Sequence, residues 1–82
     1  MHYVYLLKHP ECNKYYIGCT NNLQRRLDEH RSGSGSEFTS RVSDSGKWDV
    51  AYVEMFRNQA DAYKREKHLK QYGSALQRLK KR

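Results

Sequence analysis

The fold of this chain is determined by residues 2–20, which read HYVYLLKHPECNKYYIGCT. Residues 2–8 are aromatic and branched, as is typical of a β-strand, and residues 15–19 (YYIGC) predict a second strand. The segment between them, residues 8–14, contains proline and asparagine and predicts a turn. Because two strands joined by a short polar turn favour a β-hairpin, we expect the chain to begin with one.

A helix is predicted directly after the hairpin. Residues 20–22 (TNN) offer N-cap side chains, and leucines then recur at helical spacing. We expect this helix to span about residues 22–31 and to stop at residues 32–33. Arg26 and His30 lie on the face that should pack against the sheet, where a polar side chain needs a partner. The alternative is that both lie at the edge of that face and extend to water.

The remainder of the chain predicts a loop, a strand and two helices. Residues 32–47 are rich in Ser and Gly and predict a flexible loop, whose length is typical of functional loops. Residues 48–56 predict a third strand; both of its alternating sets are apolar, which predicts cover on both faces and therefore helices on both sides of the sheet. Asn58 caps a helix over residues 59–72, which Gly73 ends.

A short last helix from Ser74, carrying Leu76 and Leu79, completes the order β-β-α-β-α-α. We expect a single domain over residues 1–82, because a chain of this length supports one core. No apolar run exceeds five residues, which excludes a membrane-spanning helix. The N-terminus also lacks the pattern of a secretory signal, so the expected location is cytoplasmic.

The charge of the chain indicates the class of partner, and its two cysteines indicate the redox state of the thiols. The net charge is +7, and residues 51–82 hold nine Lys and Arg against three Asp and Glu. This imbalance favours a polyanion, most simply nucleic acid, as the partner; the alternative is a solvated basic tail. Cys12 and Cys19 form neither a CxxC metal pair nor a disulfide framework, so we expect free thiols.

One carboxylate interrupts the apolar pattern of the second long helix. Glu66 falls in the stripe formed with Ala62 and Leu69, at spacings i, i+4 and i+7. A carboxylate in such a stripe is either paired or a metal ligand. The alternative is an exposed ion pair with Lys70, which stabilises a helix by only a few tenths of a kcal/mol.

Tyrosines on the hairpin complete a set of candidate catalytic groups. Tyr3 and Tyr5 share one face of the first strand, and Tyr16 lies on the second, where packing is the default role. A hydroxyl in a cleft could transfer a proton if nearby cations lower its pKa. Together with an Arg, a His and one carboxylate, these tyrosines suit metal-assisted hydrolysis of a phosphodiester.

Four motifs occur in a fixed order along residues 2–70: Tyr3-Val4-Tyr5, Tyr16-Ile17-Gly18, residues 23–30 (LQRRLDEH) and residues 62–66 (AYKRE). In this order the chain resembles the GIY-YIG nuclease superfamily. It is most similar to small stand-alone bacterial members and to the N-terminal nuclease domain of the excision-repair endonuclease. The resemblance implies an α/β fold with a three-stranded antiparallel sheet flanked by helices.

The resemblance also implies an endonuclease that uses one divalent ion, Mg²⁺ or Mn²⁺. Tyr16 would be the general base or orient the water, and Tyr5 would help to position the nucleophile. Arg26 would hold the scissile phosphate, and His30 would provide a second proton-transfer or phosphate contact. Glu66 would be the single protein metal ligand. The expected nucleic-acid contacts are Arg25, Thr39, Arg41 and Lys70.

The chain departs from the family pattern at three points. The first motif reads Tyr3-Val4-Tyr5 instead of Gly-Ile-Tyr, and Cys19 stands where some members carry Lys. No Asn follows Asn58, where many members place one after the metal-binding helix, and Gln71 and Gln77 are the nearest substitutes. We also expect no separate DNA-recognition domain beside a single domain of this length, and therefore expect binding to rest on phosphates.

Three hypotheses remain open from the sequence. The leading one is a metal-dependent endonuclease acting on DNA, with structure-specific cleavage in repair as its context. The alternative is a non-catalytic nucleic-acid-binding module with the same fold. A third is a protein-interaction domain that uses its aromatic surface.

Overall fold

The computed structural model describes residues 1–71 and begins with the predicted hairpin. Strand β1 spans His2–His9 and strand β2 spans Lys14–Thr20. The two strands pair antiparallel, and Asn13 takes a left-handed conformation (φ 51°) in the turn between them. Asparagine tolerates this region better than most residues. The turn therefore forms where the polar segment of the sequence predicts it.

The sheet has three antiparallel strands in the order β2-β1-β3, with β3 at Asp49–Phe56. Both neighbours of β1 run antiparallel to it. The α/β class, the sheet and the order β-β-α-β-α are therefore confirmed. The short helix predicted from Ser74, the end of the preceding helix at Tyr72 and Gly73, and Gln77 lie outside the described residues.

Helices cover both faces of the central strand. Helix α1 (Leu23–Arg31) lies on one face and helix α3 (Gln59–Gln71) on the other. Each face has its own apolar cluster, because successive side chains of β1 point to opposite sides. The buried members on the α1 side are Tyr5, Leu7, Leu27 and Trp48, and those on the α3 side are Val4, Leu6, Ile17, Ala62 and Leu69.

Helix α1 begins and ends where its capping signals predict. The Asn22 side chain accepts a hydrogen bond from the Arg25 backbone N–H at 3.1 Å, which satisfies one of the free donors at the helix start. The helix ends at Arg31, directly before Ser32, as expected. This short, firmly capped helix presents Leu27 and His30 to the sheet.

Strand β3 differs from the prediction in its start and in its cover. It begins at Asp49, and the pairing with β1 is interrupted at Ala51, which has no partner in the register. This irregularity shifts the alternation, so that Val50 joins the α1-side cluster whereas Tyr52 packs on the α3 side. Met55 is 62% exposed. The prediction that both faces of this strand are covered is therefore wrong.

The Ser-Gly segment, predicted as a flexible loop, contains two short helices. Helix α2 spans Glu37–Ser40, and a 3₁₀ turn spans Ser45–Lys47. The Ser36 side chain caps α2, and the buried Trp48 indole donates a hydrogen bond to the Thr39 carbonyl at 2.9 Å. The first contact lies within the segment, and the second fastens the segment to the α1-side cluster that contains Trp48.

Helix α3 is fastened to the far edge of the sheet by an ion pair. The Arg65 guanidinium donates to both carboxylate oxygens of Glu54 on β3, at 2.8 and 3.2 Å. Such a two-pronged contact fixes orientation as well as adding charge attraction. It sets the rotation of α3 on the sheet and so helps to position Glu66.

Within residues 1–71, no helix is long and apolar enough to cross a membrane.

Candidate active site

The candidate site forms along the free edge of β2, where the ring of Tyr5 crosses the strand at Gly18. The two residues face each other in the register of the hairpin. A Cβ at position 18 would lie 2.2 Å from the Tyr5 hydroxyl oxygen. Only glycine therefore allows the Tyr5 hydroxyl to reach this edge.

A buried hydrogen-bond chain holds the Tyr5 hydroxyl. Tyr5 Oη lies 2.9 Å from His30 Nε2, and His30 Nδ1 lies 2.7 Å from Thr39 Oγ1. Thr39 Oγ1 continues to the Ser36 hydroxyl at 3.0 Å. Each neutral imidazole has one donor and one acceptor nitrogen, so the chain satisfies both nitrogens of His30.

Burial determines the protonation states along this chain. Both His30 and Thr39 are 0% exposed. Burial, reinforced by the Arg26 charge, lowers the pKa of His30 to about 4. His30 is therefore neutral near pH 7. Burial also raises the pKa of Tyr5 to about 12, so its hydroxyl is protonated there and can donate to His30 Nε2.

The electrostatic surroundings of Tyr5 show which groups converge on it. After burial, the Arg26 guanidinium acts to lower the pKa of Tyr5, whereas Tyr16 and Glu66 act to raise it. These groups come from α1, β2 and α3. Of the predicted residues, His30 and Tyr16 contact Tyr5 directly and Arg26 hydrogen-bonds to it, whereas Glu66 acts on the hydroxyl through its charge.

Arg26 is the cation of the site that is open to solvent. Its guanidinium donates to Glu29 Oε1 at 3.0 Å, and its side chain remains 28% exposed. Burial acts to lower the pKa of Arg26, but the hydrogen bonds to Glu29 and Tyr5 outweigh it, and the pKa is raised. Arg26 also lines a cleft of about 340 Å³ with Cys19 and Arg25. A permanently charged guanidinium in a cleft can bind a phosphate oxygen.

Glu66 lies on α3 at the same edge, half-buried, and pairs with Lys70 one turn later. Glu66 Oε2 is 3.4 Å from Lys70 Nζ, and the Lys70 ammonium lies 6.0 Å from the centroid of the Tyr16 ring. The ion pair with Lys70 is therefore present, and the role of Glu66 as a metal ligand stays a prediction. Lys70 lies beside Tyr16, where an anionic substrate could reach it.

A divalent cation at Glu66 would have to take most of its ligands from water and substrate. Mg²⁺ keeps several waters and is often bound by one or two carboxylates together with substrate phosphates. Within residues 1–71, no group of three or more His, Cys, Asp and Glu side chains could hold a metal. The half-buried Glu66 carboxylate would therefore be a single protein ligand, completed by water and phosphate oxygens.

Tyr16 lies on the same face of β2 as Gly18 and covers the outer side of His30. Its ring centroid is 4.9 Å from that of His30 and 6.4 Å from that of Tyr5. The other side of Tyr16 faces the Phe38 ring, with centroids 6.0 Å apart. Tyr16 therefore separates the buried chain from the open edge, which is the position from which a hydroxyl could act on a bound water.

Two predicted residues are enclosed, although a contact with nucleic acid needs an exposed side chain. Thr39 is fully buried on His30, so the prediction that its side chain contacts nucleic acid is not supported, and it is a positioning residue. His30 is also enclosed and reaches the edge only through Tyr5. The expectation that His30 contacts a phosphate directly is therefore not supported either. Arg41 is exposed directly after α2 and pairs with Glu37, so its nucleic-acid contact stays a prediction. Arg25 is exposed in the cleft beside Arg26, as a nucleic-acid contact requires.

Two features of the site were missed from the sequence. A Cβ at Gly35 would lie 2.3 Å from His30 Nδ1, so this glycine allows the Ser-Gly segment to close over the imidazole. The second is the stacking of Phe38 on Tyr16 at the open edge, although the sequence already marks Phe38 as one of the few anchor or contact residues of the segment. The glycine-rich composition indicated a special backbone, but only the fold reveals which side chain it packs against.

Comparison with known proteins finds the same family that the four sequence motifs resemble. The family model for the GIY-YIG catalytic domain matches residues 1–80. A UPF0213 protein of Oceanobacillus iheyensis is 39% identical over 70 residues, covering 85% of this chain and 77% of the relative. A UPF0213 protein of Halobacterium salinarum is 35% identical over 79 residues, covering 92% of each.

A solved structure agrees with the fold. The solution NMR structure of a UPF0213 protein from Bacillus halodurans matches with a TM-score of 0.51 and 27% identity. The match covers 87% of this chain and 71% of the other. The names of these relatives specify no reaction, so the chemistry must be argued from the site.

Proposed function

The chain belongs to the GIY-YIG catalytic-domain family, and from this premise we propose that it is a divalent-metal-dependent endonuclease that hydrolyses phosphodiester bonds in DNA. The observation that carries the proposal is the placement of three groups along β2: Tyr16 and Arg26 adjoin the buried Tyr5, and Glu66 pairs with Lys70, which lies over the Tyr16 ring. A base, a cation and a metal-binding carboxylate are the groups that this hydrolysis needs.

Each side chain has a role that follows from its surroundings. Arg26 binds a non-bridging oxygen of the scissile phosphate and stabilises the charge that develops on it. Tyr16 orients the attacking water or, after losing its own proton to solvent, accepts a proton from that water. Tyr5 remains protonated, because burial raises its pKa, and His30 holds its hydroxyl in position. The products are one end with a phosphate and one end with a hydroxyl.

A divalent ion bound by Glu66 would supply Lewis-acid polarisation of the phosphate and promote ionisation of water. Lys70 pairs with Glu66 in the free protein. Because its ammonium is half-exposed on a flexible stem, Lys70 can turn to a DNA phosphate when the carboxylate takes an ion.

A cleavage assay on labelled DNAs tests this proposal. We expect wild-type protein with Mg²⁺ or Mn²⁺ to cut at least one of single-stranded, duplex, nicked, flap and four-way-junction DNA. Glu66→Ala should abolish cutting, whereas Glu37→Ala, which removes an exposed carboxylate on α2, should retain it. Preferential cutting of nicked, flap or junction DNA would support a structure-specific role in repair.

The second candidate is a nucleic-acid-binding module without catalysis. It is favoured by the Lys70–Glu66 ion pair, which occupies the carboxylate assigned to the metal. DNA that shifts but stays intact in every metal, identically for wild type and Glu66→Ala, would support this candidate and contradict the nuclease. A binding module also predicts affinity that depends on salt but not on Mg²⁺ beyond its ionic strength.

A further inference from the structure

An exposed aromatic platform extends the candidate site along β2. Phe38 is 45% exposed and lies nearly parallel to Tyr16, at an interplanar angle of 24°. The two rings border a cleft of about 400 Å³ whose other lining residues are Tyr15, Ile17 and Lys70. Phe38 is fixed in this position because Ser36 caps the helix that carries it.

The inner face of the Phe38 ring packs against the core, but this contact does not explain why the rest of the ring is exposed. Its centroid lies 6.4 Å from that of the buried Trp48, with the rings tilted by 43°. A purely structural phenylalanine would gain free energy from complete burial. The exposed part of the ring instead faces the cleft beside Tyr16.

Two ammonium groups flank the platform. Lys14 Nζ lies 5.8 Å from the Phe38 centroid, and Lys70 Nζ lies 6.0 Å from the Tyr16 centroid. Aromatic rings with neighbouring cations are the features by which proteins bind unpaired nucleotides, since bases stack on the rings and phosphates pair with the cations. In an intact duplex the base faces are already stacked on one another and cannot reach the rings.

We propose that Phe38 and Tyr16 form a stacking site for one unpaired base of single-stranded DNA, with Lys14 and Lys70 contacting the flanking phosphates. This proposal rests on the proposed nuclease function, which places the scissile phosphate near Tyr16. It adds the substrate class, single-stranded DNA. A base held on this platform places its own backbone beside Lys70, the ion-pair partner of Glu66. Cutting should therefore require an unpaired nucleotide next to the broken bond.

Fluorescence of 2-aminopurine tests the stacking directly and without catalysis. A single-stranded oligonucleotide carrying this base is titrated with protein in EDTA, because stacking on an aromatic ring quenches its emission. Wild type should quench the probe, and Phe38→Leu should lose most of the quenching. The affinity of Phe38→Leu should fall roughly 5- to 150-fold, the range for one base–aromatic stack.

Two further variants separate stacking from folding. Phe38→Trp keeps an aromatic face and should retain both quenching and affinity. Met55→Ala removes an exposed apolar side chain from β3 and should change neither. Thermal melting of all variants identifies any that fail to fold, and Phe38→Trp keeps the test decisive if Phe38→Leu is unstable.

The outcomes distinguish this proposal from the nuclease itself. Quenching that depends on an aromatic residue at position 38, without cleavage in any metal, supports the stacking site and overturns the nuclease. Cleavage that requires Glu66 but is unaffected by Phe38→Leu retains the nuclease and overturns the stacking site. Equal binding and cutting of blunt duplex and single strand would also overturn it.

Discussion

The position of the Tyr5 hydroxyl depends on contacts from distant parts of the chain. Gly18 leaves the space for its ring, and the imidazole of His30 receives its hydroxyl at 2.9 Å. Thr39 in turn holds the imidazole at 2.7 Å. Removing one member of a buried hydrogen-bond chain leaves its neighbour unsatisfied, so single substitutions here should have effects larger than their size suggests.

Thr39→Val tests the role of this positioning residue. The valine keeps the shape but removes the partner of His30 Nδ1, which should destabilise the protein by ~1–3 kcal/mol. Urea unfolding gives the free energy, and Thr39→Ser, which keeps the hydroxyl, should restore most of it. A Thr39→Val protein as stable as wild type would show that the hydroxyl does not hold His30.

Tyr16→Phe tests the proposed base. The ring contacts with His30 and Phe38 remain, so the melting temperature should change little. Loss of the hydroxyl should lower the single-turnover cleavage rate by ~100- to 10,000-fold, the usual contribution of a general base. The control is Tyr52→Phe, which removes a hydroxyl bonded to Glu54 on β3, away from the site. Cleavage at the full rate would exclude Tyr16 as the base.

At the scale of elements, a single buried imidazole joins α1 to α2 and to β1. His30 lies at the end of α1, contacts Thr39 on α2 and accepts from Tyr5 on β1. Protonation at Nε2 would leave the imidazole with two donors and a buried charge, and the Tyr5 hydroxyl would have to turn from donor to acceptor. The contact between these elements should therefore weaken in acid.

The sign of this pH dependence follows from the pKa shift. In the unfolded chain His30 binds a proton near pH 6.5, whereas in the folded chain burial lowers its pKa to about 4. Between these values the unfolded state holds more protons, so the free energy of unfolding falls as the pH drops from 6.5 to 4. The full shift corresponds to ~3 kcal/mol.

Urea unfolding at several pH values measures this effect against His30→Gln. The variant should be less stable at pH 7 but lose less stability between pH 6.5 and 4, because it has no imidazole to protonate. The difference between the two curves removes the contribution of the carboxylates, which titrate in both proteins. Parallel curves for wild type and variant would contradict a depressed pKa for His30.

The elements that the sequence predicted well are those with local signals. The hairpin and α1 follow from alternation, a polar turn and the Asn22 cap, all within a few residues. The interrupted pairing at Ala51 and the four-residue helix α2 did not follow, because both depend on contacts with β1, α1 and Trp48 far along the chain. The same reason hid the burial of Thr39, whose partner His30 is fixed by the fold.

The site was partly predictable for a related reason. Arg26, His30 and Glu66 stood out as polar residues on apolar helix faces, and the structure brings them to one edge. Their separate roles did not follow from that pattern. His30 is enclosed while Arg26 remains accessible, because Gly35 and Tyr16 cover only the imidazole.

At the scale of the whole molecule, the charge of +7 favours any nucleic acid and does not by itself identify a site. Phosphate contacts give affinity that falls steeply with salt, whether or not a bond is cut. A specific site differs from a basic surface because its cations are not interchangeable. Two adjacent arginines on α1 provide this comparison, since Arg26 faces the Tyr5 hydroxyl whereas Arg25 pairs with Asn21 at the surface.

The most direct measurement is the single-turnover cleavage rate at saturating DNA with Mn²⁺, for Arg26→Ala and Arg25→Ala. The variants lose the same charge from neighbouring positions, and melting curves check that both fold. We predict that Arg26→Ala loses ~100-fold or more in rate, as expected when a preorganised charge is removed from a transition state, whereas Arg25→Ala weakens binding and keeps the rate. Equal rates for the two variants would contradict a catalytic site at the edge of β2.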